Sequence, residues 1–449
     1  MMRSLKVGRA IGILLLFGAA AAQAAEFRAG AGKSEILITP DMLPLENLTS
    51  QHDPLNVRVL IMDDGKARSA IVVLEQPSVS DGTISGIKES LAKLAKVAAD
   101  RAIVVGTHTT SAPHANMGSP GGSAAPSPGA AAFAKSLDEA AARAIAQANG
   151  ALKPARVGFG VGTTDVNVNR DMPTPRGWAY GSNSAGFSDR SVPVLRVDGL
   201  DGKPIALLMN VAVRPVVMDG SLDDNNGGKA ITADLAGAAA NYVEQWYGGQ
   251  SVALFLMGAA VDQAPVLEAN RFVLDPDGSL KRVDLHQAGF MLLELLGERL
   301  GADVVRAADA IKASGTPAVQ VERHSLQLPS QGRAGGPPSN APVLSYTYAT
   351  GPDVDFPVVL MRIGDVAIVG VRPELGASIG AQIKAQSPYA NTMVAVMVDG
   401  GAKYMVDAQS FEHFTNEARG SQFAQGAAAR AVTGIGELLD QMKSSSPAR

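Results

Sequence analysis

The chain has 449 residues, 46% of them hydrophobic and 18% charged, a formal net charge of −4 and no cysteine. Such a hydrophobic share predicts a sizeable buried core and excludes general disorder. The missing cysteines exclude disulfide frameworks, zinc knuckles, iron–sulfur sites and thiol catalysis, and the weakly acidic balance speaks against a nucleic-acid partner.

The chain opens on a pattern expected of an export signal. Arg3, Lys6 and Arg9 precede an apolar run over 10–22 that is too short to span a bilayer, and Ala22-Gln23-Ala24 reads as a cleavage site. Residues 1–24 are therefore expected to be a signal peptide. Residues 25–449 would form a periplasmic or secreted protein without an integral membrane segment.

Strands and helices alternate beyond that point. Apolar runs at 57–62 and 70–74 around Asp63-Asp64-Gly65 predict a hairpin. Ile87, Leu91, Leu94 and Val97 predict a helix over 85–100. A short strand at 102–105 leads into a Gly/Pro/Ser/Ala-rich loop over 107–127, then a helix at 138–149. Strands at 190–197 and 204–213 flank a turn at Asp201-Gly202, and a helix over 234–247 precedes a strand at 251–257. The last elements are a helix at 284–307, strands at 358–362, 366–371 and 392–398, and a helix at 423–442. With 48 glycines and 26 prolines, many turns and long loops are expected rather than a helical bundle. The stretch QGRAGGPPSNA at 331–341 is the best candidate boundary and reads as a loop inside one domain.

Five of these strands run into chemically useful side chains. Strand 102–105 leads to His108, Ser111 and His114, and strand 204–213 leads to Arg214. Strand 251–257 leads to Asp262, strand 366–371 to Arg372 and Glu374, and strand 392–398 to Asp399 and Tyr404. Ligands of α/β sheets bind outside the carboxyl ends of strands, so one shared site follows if all five lie in one sheet with a common direction.

Eight short segments in order resemble the neutral, non-lysosomal ceramidases, zinc-dependent amidases with a mixed α/β catalytic domain of several sheets and flanking helices. They are AGAGKSEILITP (29–40), DPLNVRVLIMDDGKARSAIVVL (53–74), GTHTTSAP (106–113), Asn169-Arg170, Asp198 to Pro215, TADLAG (232–237), GAAVDQAP (258–265), and Arg372 to Glu374 with Tyr404. The resemblance implies the ceramidase-like α/β fold for residues 25–449, without the immunoglobulin-like domain many ceramidases add. It also implies His108, Glu374 and Tyr404 as metal ligands; Arg170, Ser111, His114 and Asp262 are expected on the substrate side.

The departures fall on the chemistry. Arg214 stands where the family has a ligand histidine, and a guanidinium has no lone pair to offer a metal. Thr110 replaces the second loop histidine, and Val261 and Ala264 replace a glycine and a serine. His114, Asp262 or Asp234 could complete a rebuilt Zn2+ site; alternatively, the guanidinium occupies the metal's place and pairs with Glu374 or with a ligand anion. Simpler roles compete for each residue: a surface or capping place for His108 and His114, a helix-opening acid for Glu374, a core aromatic for Tyr404. Ser111 has no adjacent base in sequence to activate it.

Two functions follow. One is a hydrolase of an amide or related acyl bond in a small-molecule or lipid-like substrate, with catalysis by His108, Arg214, Glu374 and Tyr404. The other is a non-catalytic binding protein that holds an anionic ligand at an Arg214-centred pocket.

Overall fold

The computed structural model describes residues 26–114, 126–224, 227–332 and 341–445. The expected export segment lies outside them, as do 115–125 of the Gly/Pro-rich loop and 333–340 of the candidate boundary.

Eight strands form the largest sheet, in the order Val252–Met257, Pro204–Val211, Ser191–Gly199, Lys153–Thr163, Arg28–Ile36, Leu55–Asp63, Arg68–Leu74 and Ala102–Gly106. A second sheet orders Val319–Gly332, Ala349–Ile363, Val366–Val371 and Asn391–Ala395. Apolar runs are nearly continuous in strands 55–63, 68–74, 102–106, 204–211, 252–257 and 366–371, where both faces are covered. In strand 204–211, Leu207, Met209 and Val211 face one core while Ala206 and Leu208 face another. The inner core joins Leu60, Ile71 and Leu254 of the large sheet to Met361, Ile368 and Met393 of the small one. Each such fully buried side chain contributes roughly 1.5–3 kcal/mol.

Helices cover the outer faces. Asp81–Ala95 and Pro128–Gly150 lie over one half of the large sheet, and Asp234–Trp246 and Gly289–Asp309 over the other. Ala377–Gln386 and Ala427–Ser444 pack on the four-stranded sheet. The fold is thus α/β, with mixed sheets and flanking helices. Gly30 and Gly32 allow helix 128–150 to approach, since a Cβ at either would stand 2.2 Å from the carbonyl oxygen of Ala148 or Ala144. No helix among the described residues is long and apolar enough to cross a membrane.

The strand ends converge, but not by a common direction in one sheet. Strands 366–371 and 391–395 belong to the second sheet, and within the first, strand 102–106 runs opposite to strands 204–211 and 252–257 through the successive pairings. Accumulated twist brings the two edges of the large sheet together, so that strand 252–257 packs across strands 55–63, 68–74 and 102–106. The segment after strand 391–395 laces these ends. Val396 N–H donates to Met257 O (3.0 Å), and Asp399 N–H donates to Val104 O (2.7 Å).

Other expectations shift for local reasons. The helix expected at 85–100 runs over Asp81–Ala95, because the Ser80 hydroxyl accepts from Thr83 N–H at 3.1 Å and Lys96 turns left-handed at φ 59°. The helix expected at 138–149 begins at Pro128 under a Ser127 cap, its first turns being alanine-rich and weakly patterned. Asp284 closes a strand, Leu280–Asp284, rather than opening a helix, and that helix starts at Gly289. Glu374 sits in the short strand Pro373–Leu375 and the next helix begins at Ala377, so a helix dipole does not account for it. Strands 28–36 and 153–163 escaped the pattern because glycines interrupt their alternation.

Candidate functional site

His108 follows strand 102–106 with a left-handed backbone, φ 65°, an arrangement costing on the order of 1 kcal/mol for a non-glycine residue. Arg214 follows strand 204–211 in a turn where Val216 N–H donates to Arg214 O at 3.0 Å. Asp234 anchors that turn, its carboxylate accepting from Val217 N–H at 2.9 Å and Met218 N–H at 3.0 Å. Burial pushes the Asp234 carboxyl up to about 6 against the pull of those N–H groups. Strand 373–375 pairs in parallel with Ala402–Met405, which sets Glu374 beside Tyr404.

These four side chains meet. Arg214 Nη2 lies 2.7 Å from His108 Nε2 and 3.1 Å from Glu374 Oε2, the second contact an ion pair rather than an aligned hydrogen bond. His108 Nε2 is 3.2 Å from Glu374 Oε1. The Arg214 guanidinium lies 5.9 Å from the centre of the Tyr404 ring. Burial raises the Glu374 carboxyl, but the charges of Arg214, His108 and Arg170 outweigh it and hold the group at about 2. Glu374 is therefore a carboxylate at any ordinary pH.

Two cavities flank this group. One, about 380 Å³, is lined by His108, Glu374 and Tyr404, with His114 also on its wall. The other, about 290 Å³, is lined by Arg214, Tyr404, Thr110 and Arg170. Tyr404 belongs to both walls.

The residues present do not fit the zinc ion that the ceramidase resemblance implies. An ion ~2 Å from His108 Nε2 could stand no farther than about 5 Å from Arg214 Nη2, where a dication and a guanidinium repel by several kcal/mol. Among the described residues, no group of three or more His, Asp or Glu side chains is arranged to hold a metal. The guanidinium instead hydrogen-bonds His108 Nε2 and ion-pairs with Glu374.

The other residues named from sequence are scattered around this centre. His114 does not turn toward it: its Nδ1 pairs with Glu46 Oε1 at 2.9 Å and its side chain is 45% exposed. Ser111 is buried, offers its carbonyl to Thr232 N–H at 3.1 Å, and lines neither cavity. Asp262 lines neither cavity, accepting from Ala377 N–H at 2.8 Å and from Asn169 Nδ2 at 3.2 Å. Burial pushes its carboxyl up to about 6. Arg170 lines the second cavity, ion-paired with Glu417 and stacked 4.5 Å above the Tyr180 ring. Arg372 points to Asp81 at 3.2 Å.

Sequence reading missed Glu268, Arg271 and Arg282, which also line the second cavity. The arginines come from a hairpin, Asn270–Leu274 with Leu280–Asp284, whose Asp275-Pro276-Asp277-Gly278 link is a turn signal legible in the sequence.

The fold is that of a ceramidase-like α/β protein. Two solved structures carry the likeness. A neutral ceramidase from Pseudomonas aeruginosa matches over 95% of this chain and 76% of its own, at TM-score 0.68 and 17% identity. A ceramidase complexed with C2 matches over the same shares, at TM-score 0.69 and 16% identity. In sequence, no family model and no curated protein matches this chain. At such identities the likeness is one of fold.

Proposed function

We propose that this chain, exported and acting as one catalytic unit over residues 25–449, hydrolyses an amide or related acyl bond in a lipid-like molecule without zinc. The observation that carries the reading is the Arg214 guanidinium, held by His108 Nε2 at 2.7 Å and Glu374 Oε2 at 3.1 Å beside a cavity of about 380 Å³. The ceramidase fold supports the reaction class by analogy.

In the reading, the substrate carbonyl oxygen replaces His108 as an acceptor from Arg214, which frees the Nε2 lone pair. Water then attacks the carbonyl carbon while its proton passes to His108 Nε2, and the oxyanion faces the guanidinium. Collapse breaks the carbon–nitrogen bond, and the leaving amine takes the proton from His108. Glu374, ionised throughout, holds Arg214 in place and steadies the imidazolium. Tyr404 closes the wall beside both groups.

The second reading, a non-catalytic binder of an anionic ligand, is favoured by the arginines around the adjoining cavity. One experiment separates the two. Purified chain is incubated with N-acyl aminocoumarins of graded acyl length, with and without chelator. The hydrolase reading expects turnover that survives the chelator and falls at least 100-fold in Arg214→Met. Turnover abolished by chelator and restored by zinc would overturn the metal-free mechanism. No turnover across the panel would leave the binding protein.

A further inference from the structure

Apart from Arg214 and Tyr404, the wall of the second cavity has a chemistry that the hydrolase reading does not use. Arg170, Arg214, Arg271 and Arg282 line it, against Asp219 and Glu268. Arg170 and Arg214 are neutralised from behind by Glu417 and Glu374, neither of which lines this cavity. Arg271 and Arg282 have no ion-pair partner among the described residues; Arg271 donates to the Glu268 carbonyl and Arg282 to the Asn270 side-chain oxygen. The hairpin register, Arg271 opposite Val283 and Phe272 opposite Arg282, sets the two guanidiniums on neighbouring strands.

The floor is short of acceptors. Arg214 Nε, Arg170 Nε and the Thr110 hydroxyl are buried without a hydrogen-bond partner, and each belongs to a residue of this wall. The Arg214 side chain is 9% exposed, so its Nε cannot rely on bulk water. Unpaired buried donors cost about 1–3 kcal/mol each, which an occupant rich in acceptor oxygens would recover. Burial also pushes the Glu268 carboxyl up to about 7 against the pull of Arg170 and Arg214, so near neutrality this acid can carry a proton and act as a donor.

We propose that this cavity is an oxyanion subsite that takes a phosphate or sulfate group, held by Arg271 and Arg282 at the mouth and by Arg214, Arg170 and Thr110 at the floor. The inference rests on the hydrolase reading only in one respect: the anion would be the polar end of the molecule whose acyl bond lies at Arg214. A tetrahedral oxyanion suits the wall because four guanidiniums line it, and bidentate guanidinium–oxyanion contacts are strong.

Binding of inorganic phosphate and inorganic sulfate to the full chain, followed by titration calorimetry at low and high salt, tests it without turnover. Saturable binding that weakens with salt is expected, at least tenfold weaker in the double variant Arg271→Gln/Arg282→Gln and several-fold tighter in Glu268→Gln. Both variants change partly exposed side chains and should keep the melting temperature of the unliganded protein. An N-acyl phosphoethanolamine amphiphile serves as the second probe. Tighter binding than inorganic phosphate assigns the subsite to a lipid headgroup, and equal affinity assigns it to the free ion; either keeps the subsite. No saturable binding of any probe, or equal binding by wild type and the double variant, overturns it. Phosphate binding without amide turnover would sink the hydrolase reading alone, and turnover without phosphate binding would sink the subsite alone.

Discussion

Two of the buried arginines, Arg58 and Arg214, both sit against carboxylates but differ in how completely they are satisfied. Arg58, 2% exposed, gives Nε to Glu244 at 3.1 Å, Nη1 to Glu75 and Nη2 to Asn241 at 3.1 Å, so every nitrogen has a partner. Arg214 is almost as buried but leaves Nε unpartnered, as His108 leaves Nδ1, and two cavities open beside it. A closed network holds helix 234–246 to strand 55–63, since Glu244 and Asn241 lie on the one and Arg58 on the other. An open one, with donors to spare at a cavity, is where a ligand can be bound. Burial of a charge identifies neither case; the count of unmet hydrogen bonds does.

Breaking each arginine should separate structure from function. Arg58→Met strands Glu75 in the interior and leaves Glu244 to Lys33, and is expected to lower unfolding free energy by about 3–5 kcal/mol in urea melts. Arg214→Met leaves Glu374 beside cavities that water can enter, so a smaller loss, about 1–3 kcal/mol, is expected together with loss of the site's chemistry. Equal stability losses in the two variants would remove the distinction.

Acid titration sharpens the same comparison. Glu374 is held at about 2 where an ordinary glutamate sits at 4.5. A depressed carboxyl contributes stability that is fully present above about 4.5 and is lost as pH falls through about 2. Wild type should therefore lose stability relative to Glu374→Gln across that window, as followed by denaturant melts at stepped pH. A constant difference between the two proteins there would show that Arg214 does not hold the carboxylate. The smallest effect is expected at His114, whose bond to Glu46 is solvent-exposed. His114→Ala should change stability by no more than about 0.5 kcal/mol and leave Arg214-dependent turnover intact.

Much of this site was legible in the sequence, and the reasons are specific. His108, Arg214, Glu374 and Tyr404 were found because each follows an apolar run and because the segments around them resemble the ceramidases. Their meeting could not be read from periodicity, since it depends on sheet curvature and on the segment 396–399 that bridges the ends of strands 252–257 and 102–106. That Arg214 stands where the resembled family has a histidine was an expectation from sequence; that its guanidinium meets both His108 and Glu374 was not legible, because side-chain partners across 106 and 160 residues leave no local pattern. Arg271 and Arg282 went unnoticed because a polar hairpin with alternating exposure looks like an ordinary surface loop.

The account stands on the Arg214 guanidinium, in contact with both His108 and Glu374, leaving no place for an ion between them. Elemental mass spectrometry of the full chain, purified without chelator and dialysed against micromolar zinc, tests that directly. The account predicts well under a tenth of a zinc ion per chain, rising in Arg214→His, where a ligand replaces the charge. About one zinc per wild-type chain would contradict it.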